Sequence, residues 1–234
     1  GESIAAKRWS KAQKARILES RVQAGQALSH AMGEFPSDHL PGVLIQASAI
    51  GYYGPRGSEP LDEDAEAGTG FLASTAQAWE ASTLPVEALG ARRVLVRTGM
   101  VLAREGGALE EMLAPFKRYV GGVLGSGRQW VSWIHLEDEV AAILHLLERD
   151  DLSGPFNLTA PGPLPMKDFC KAICHYLRRP CLFPAPGFML KLILGEMAQE
   201  LILSGQRVEP ARLLASGFRF RYPDITTAFQ DILR

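Results

Sequence analysis

Cysteine is scarce in this sequence: Cys170, Cys174 and Cys181 are the only three in 234 residues. An odd number cannot all pair, and their spacing is not the disulfide framework of a small secreted protein, so a reducing, cytoplasmic setting is expected. Long apolar runs are also missing. The strongest, Phe188 to Leu194, contains Lys191 and falls far short of the ~20 residues that span a bilayer. Net charge is nearly absent, with 25 basic residues against 26 acidic ones. That balance gives no reason to expect nucleic acid or a membrane as partner. Internal repeats and low-complexity segments are absent too. What remains is ample apolar material, 47% of residues, enough for a sizeable core and against wholesale disorder.

The patterning alternates between helix and strand. A helix is expected from Lys11, with Leu18, Val22, Gly25 and Leu28 on one face and Gly33 and Pro36 closing it. Val43 to Ser48 is a short apolar run of the kind found in buried parallel strands. Further helices are expected over Phe71–Glu87, Ala108–Tyr119 and Leu136–Leu147, the last with Val140, Ile143, Leu144 and Leu147 at helical spacing. Arg93–Arg97 and Pro155–Thr159 read as two more strands. From Pro161 onward the composition shifts, with six prolines from Pro161 to Pro186. Helices are expected there over Met166–Leu177 and Phe188–Leu203, and from Ile225 to the C-terminus. Such alternation marks a parallel sheet covered on both faces. Three strands are few for a doubly wound sheet.

Several motifs invite a chemical reading. Gly51-x-x-Gly54-x-x-Gly57 has dinucleotide-fingerprint spacing, but Pro55, Pro60 and an acidic run follow it instead of a helix start. A pyrophosphate needs the free N–H groups of a helix N-terminus, so a turn-rich active-site loop is favoured here. The glycines from Gly121 to Gly127 read either as a mobile loop or as one that approaches a ligand, with Arg128 aimed at a carboxylate or phosphate. Cys170, Cys174, His175 and Cys181 do not match a zinc spacing, so no metal is expected. Asn157-Leu158-Thr159 is a formal glycosylation triplet inside an expected strand, hence chance. The best polar constellation is Ser48 with Tyr52 and Tyr53 just past one strand, and Thr98 with Gly99 at the end of the next. In open parallel sheets ligands sit at those carboxyl ends.

Taken together, these residues resemble the extended short-chain dehydrogenases/reductases. They are most similar to an atypical, sugar-nucleotide epimerase-like branch, sometimes labelled a cell-division inhibitor. The stretches that carry the resemblance are Gly1-Glu2-Ser3-Ile4, Ser48-Ala49-Ile50-Gly51-Tyr52-Tyr53-Gly54, Arg97-Thr98-Gly99-Met100-Val101-Leu102, Gly125-Ser126-Gly127-Arg128-Gln129 and Trp133-Ile134-His135 with Asp138. The resemblance implies a Rossmann-type doubly wound parallel sheet whose N-terminal strands and glycine-rich pyrophosphate loop would precede residue 1. It places the remainder of that domain over 1–160 and a smaller substrate lobe over 161–234, with 104–135 contributing to the lobe. It implies NADP(H) as cofactor, held weakly without that loop, with Ala47, Ser48, Tyr53, Thr98, Gly99 and Val101 on the cofactor side. Tyr52, Arg128, Trp133 and His135 would face a small-molecule substrate, a nucleotide sugar or a carbonyl compound.

The family's catalytic Tyr-x-x-x-Lys pair is not matched: Phe71 and Thr75 stand in its place. Ser48 and Tyr53 are then the candidate catalytic residues. Two functional expectations follow, an NADP(H)-dependent epimerase-like oxidoreductase with a nonstandard proton donor, or a cofactor-binding sensor or scaffold without turnover.

Overall fold

The computed structural model describes residues 1–36 and 38–233. Arg234, which the last expected helix would include, lies outside them. Along the chain, α1 (Lys11–Gly33) leads to β1 (Val43–Ala49), a 3-10 turn (Ile50–Tyr53) and β2 (Pro60–Leu61). Next come α2 (Phe71–Ala81), α3 (Pro85–Ala88), β3 (Arg92–Thr98), β4 (Met100–Leu102) and α4 (Gly107–Lys117). β5 (Trp130–Val131) and β6 (Trp133–His135) precede α5 (Leu136–Glu148), β7 (Gly154–Leu158) and β8 (Leu164–Pro165). α6 (Met166–Leu177), α7 (Gly187–Leu194), α8 (Glu196–Ala198), a π-turn (Gln199–Leu203), β9 (Arg207–Val208), α9 (Ala211–Ala215) and α10 (Ile225–Ile232) complete the described order.

The central sheet is parallel, in the order β1-β3-β7, and its register sets Ala49 beside Thr98 and Thr98 beside Leu158 at the carboxyl edge. Alternation along the strands sends Gln46 and Ser48 toward α2, where the Gln46 amide donates to the Trp79 carbonyl. Val94, Val96, Phe156 and Leu158 point the other way and pack with Ala142 and Leu146 of α5 and Leu213 of α9. Each such fully buried side chain contributes roughly 1.5–3 kcal/mol. Helices on both faces make the sheet doubly wound, as the resemblance implied. A second core joins Leu109, Leu113 and Phe116 of α4 to Phe169 and Ile173 of α6 and Phe229 of α10. The ladders β2–β9 and β5–β8 tie residues before 160 to residues after it.

Four expectations are corrected. The expected helix Phe188–Leu203 breaks at Gly195, which adopts a positive φ of 66°, into α7, α8 and the π-turn. The buried face of α1 is Gln13, Ile17, Gly25 and Met32, while Leu28 is exposed. The expected helix Phe71–Glu87 is interrupted: α2 ends at Ala81 and a short α3 starts with Pro85 at its first position, where no N–H is needed. On α5 the stripe Val140, Leu144 and Leu147 is exposed, and Asp138, Glu139, Ala142 and Leu146 point inward instead. The inward carboxylates have local partners. Asp138, for instance, accepts from the backbone N–H of Arg221 and Tyr222, which offsets the cost of burying it.

Candidate functional site

One row inside the carboxyl edge, the register aligns Ser48, Arg97 and Asn157 on a single face of the sheet. A polar network fills that row. The Arg97 guanidinium donates to both oxygens of Glu80 on α2, at 2.9 and 3.0 Å, and the Ser48 hydroxyl donates to Glu80 Oε1 at 2.6 Å. Arg97 also donates to the Tyr53 hydroxyl at 3.0 Å, which in turn donates to Asn157 Oδ1 at 2.7 Å. Glu63 closes the circuit by accepting from the N–H groups of Asn157 and Arg212. Burial works against the charge on Arg97, but the hydrogen bonds and charge attraction of Glu80 and Tyr53 together outweigh it and hold its pKa above the usual value. Burial pushes the Tyr53 hydroxyl up to about 12 and raises the Glu63 carboxyl above the usual carboxylate range.

Ser48 and Tyr53 are therefore buried with both hydroxyls engaged. Tyr52 lies half-buried beneath the Arg97 guanidinium, 3.5 Å from its ring centroid. On the opposite face Thr98 donates to Glu139 Oε1 at 2.8 Å. The other oxygen of Glu139 is buried and has no partner. Burial raises this carboxyl to about 7, with the Thr98 hydrogen bond opposing part of the rise. Ala47 is exposed on the same face, while Thr98, Gly99 and Val101 are half-buried at the edge. Gly99 is required there: a Cβ would sit 2.8 Å from the Ser132 carbonyl oxygen.

The remaining sequence candidates are dispersed. Trp133 is wholly buried, its indole N–H donating to the Gly162 carbonyl. His135 caps α5, its Nδ1 accepting from the Glu137 N–H, and stacks on Tyr222 at 3.8 Å. Its Nε2 stands 3.4 Å from Asp231 at a depression of about 320 Å³ lined also by Arg104 and Glu137. Arg128 is exposed on the glycine loop. That loop is packed against protein: a Cβ at Gly122 would meet the Phe183 carbonyl carbon at 2.5 Å. Its glycines admit the strap that precedes α7, a third role beside the two the sequence suggested.

At Gly51, Gly54 and Gly57 a 3-10 turn and a loop occur, and no α-helix begins between Gly51 and Phe71. A pyrophosphate cradle is thus excluded at that motif. Asn157 is fully buried in β7 with its amide engaged, which removes it as a glycosylation acceptor. Among the described residues no three His, Cys, Asp or Glu converge as metal ligands. Sequence reasoning missed Arg97, Glu80, Glu63 and Glu139. The signal for the first was available, since an arginine closing the run Val94-Leu95-Val96 must find a carboxylate if it is buried.

Comparison with known proteins places this geometry. Residues 1–158 match the NAD dependent epimerase/dehydratase family, and residues 185–232 match a domain of unknown function, DUF1731. An epimerase family protein of Mycobacterium leprae is 43% identical over 230 residues, 97% of this chain and 73% of that protein. The Bacillus subtilis epimerase family protein YfhF is 42% identical over 227 residues, covering 97% and 74%. The human epimerase family protein SDR39U1, solved with NADPH, superposes with a TM-score of 0.93 at 32% identity, over 100% of this chain and 79% of that one. This chain belongs to the NAD dependent epimerase/dehydratase family and shares the fold of its atypical SDR39U1-like branch.

Proposed function

We propose that this chain forms the nicotinamide-facing and substrate-facing part of an NADP(H)-binding, epimerase-like oxidoreductase that lacks the Tyr-x-x-x-Lys pair. Its substrate is a small molecule, a nucleotide sugar or a carbonyl compound. The observation that carries this reading is the superposition of the entire chain on a relative solved with NADPH. The carboxyl edge fits such a cofactor. Small side chains at Ala47, Ala49 and Gly99 leave room for a flat ring, and the half-buried Thr98 offers a polar group beside it. Val101 continues that wall. When bound, the cofactor supplies or accepts a hydride.

In this reading Ser48 and Tyr53 are the candidate catalytic hydroxyls, and their geometry favours a positioning role. Held by Glu80, Arg97 and Asn157, they fix the row behind the cofactor edge. Tyr52, Arg128, Trp133 and His135 belong to the substrate side, with Trp133 and His135 shaping its wall from within. The division at residue 160, with 104–135 joining the smaller lobe, is part of the same proposal. A reducing, cytoplasmic setting accords with three unpaired thiols, two of which burial pushes up to about 11 (Cys170) and about 12 (Cys174). No described helix is long and apolar enough to cross a membrane.

The test is an NADPH titration read by amide hydrogen exchange. Binding is expected to protect residues 98–101 and to be lost on Thr98→Arg. Absence of protection there at saturating NADPH overturns the reading. A second reading, cofactor binding without turnover, is favoured by Phe71 and Thr75 in place of the pair and by the high pKa of Tyr53. Steady NADPH consumption with any sugar nucleotide or carbonyl compound rules that second reading out.

A further inference from the structure

The near-zero net charge of the chain conceals a segregation. Residues 161–195 hold α6, the strap at 178–186 and α7. They carry Lys167, Lys171, Arg178, Arg179 and Lys191 against a single carboxylate, Asp168, a net +4 within a chain of net -1. The same segment bears the most exposed large apolar side chains among the described residues. Leu192 is 77% exposed, Phe188 72%, Leu182 68% and Ile193 64%.

α7 has no buried residue at all. At 100° per residue, Phe188, Met189, Leu192 and Ile193 occupy an arc about 140° wide, opposite the half-buried Leu190 and Leu194. Apart from Lys191 the helix is apolar all round, so a wide apolar face is turned outward, and Lys191 flanks that face. The strap is fixed, not loose: the N–H of Gly125 donates to the Ala185 carbonyl and that of Ala185 to Val123. Within the strap the Phe183 N–H donates to the Gly121 carbonyl, and Arg179 pairs with the Tyr119 hydroxyl.

A second exposed stripe allows a comparison. Leu136, Val140, Leu144 and Leu147 on α5 are less exposed, and that helix carries Glu137, Asp138, Glu139 and Glu148 with no Lys or Arg. An anionic surface repels α5 and attracts the strap and α7.

We propose that the strap and α7 form a peripheral docking face for an anionic phospholipid bilayer. Phe188, Leu192 and Ile193 enter the headgroup–acyl boundary while Lys191 and Arg179 meet lipid phosphates. Apolar insertion and charge attraction are the two contributions by which interfacial helices bind. The inference uses none of the residues of the candidate cofactor edge, so it stands independently of the oxidoreductase reading.

The test is co-sedimentation of the whole chain with vesicles of phosphatidylcholine alone and with roughly one-third phosphatidylglycerol. Binding is expected to be about tenfold stronger on the anionic vesicles and to weaken several-fold in high salt. The double variant Phe188→Glu with Leu192→Glu, at exposed positions that leave the core intact, is expected to abolish it with an unchanged thermal midpoint. Lys191→Glu is expected to weaken it on anionic vesicles only. Absence of binding to either vesicle, or equal binding by the double variant, overturns the proposal. So does a vesicle-free dimer, seen by sedimentation equilibrium and abolished by Leu192→Glu, which assigns the face to a second copy of the chain.

Discussion

Glu139 is buried with one oxygen satisfied by Thr98 and the other by nothing, and the pH dependence of its stability follows from that. Its proton dissociates at about 7 in the folded chain, against an ordinary value of 4.5. Between those values the folded state holds more protons than the unfolded one, so stability falls as pH rises through the window. Above the window the penalty is complete. Glu139→Gln keeps the shape and removes the charge, so it is expected to stabilise the chain by roughly 1–3 kcal/mol at about pH 8. At about pH 4 it should do almost nothing. Urea denaturation at the two pH values checks this, and an equal effect at both would refute it.

The Arg97–Glu80 pair makes the opposite case, because each charge there is fully answered. Glu80→Ala strands a buried guanidinium and leaves Ser48 without its acceptor. A loss of about 3–5 kcal/mol is expected. Replacing both charges, Arg97→Met with Glu80→Leu, is expected to be milder than the single change. A double variant worse than Glu80→Ala would count against this account of the network.

Among the elements, α2 depends on a residue far from it in sequence. Its N-cap position is Gly70, with no side-chain cap of its own, and the carboxylate of Glu200 accepts from the N–H groups of Phe71 and Leu72 at 2.9 and 2.8 Å. A carboxylate there satisfies two free donors and meets the positive end of the helix dipole. Glu200→Ala is expected to cost about 1–2 kcal/mol and to speed amide exchange in the first turn of α2. Unchanged exchange would show the cap to be idle. No sequence reading finds such a cap, because its two halves lie 128 residues apart.

What is legible in the sequence divides along the same line. β1, β3 and β7 are legible because each is an apolar run bounded by turn residues. The break between α2 and α3 is signalled by Pro85, although the apolar periodicity runs through it. The two-residue ladders β2–β9 and β5–β8 are illegible, since nothing local specifies a pairing that short. On α5 the apolar periodicity gives the helix correctly and its inward face wrongly, because Asp138 and Glu139 are drawn inward by partners at residues 221, 222 and 98. At the candidate site, Ser48, Tyr53 and Thr98 are recognisable by type and position. Their partners Glu80, Arg97 and Asn157 require the register that stacks three strands.

For the whole molecule, these cross-connections decide how it unfolds. Residues before and after 160 are joined by more than a linker. Leu61 pairs with Val208, Val131 with Leu164, Glu63 accepts from Arg212, and Glu200 caps α2. The core around α6 and α10 also includes Leu102, Leu109 and Trp133 from earlier in the chain. A lobe that opened alone would expose part of that core and break the buried network, at a cost comparable to the ~5–15 kcal/mol that holds a whole domain together. Unfolding is therefore expected to be a single cooperative transition. Trp79 reports on the sheet side, Trp130 and Trp133 on the lobe, and far-UV circular dichroism on both. Coincident urea midpoints for tryptophan emission in Trp79→Phe and Trp133→Phe variants, each compared with the dichroism of the same variant, are the expected result. Midpoints that separate would mean that residues 161–234 unfold as an independent unit, and that the ladders crossing residue 160 contribute less than their burial implies.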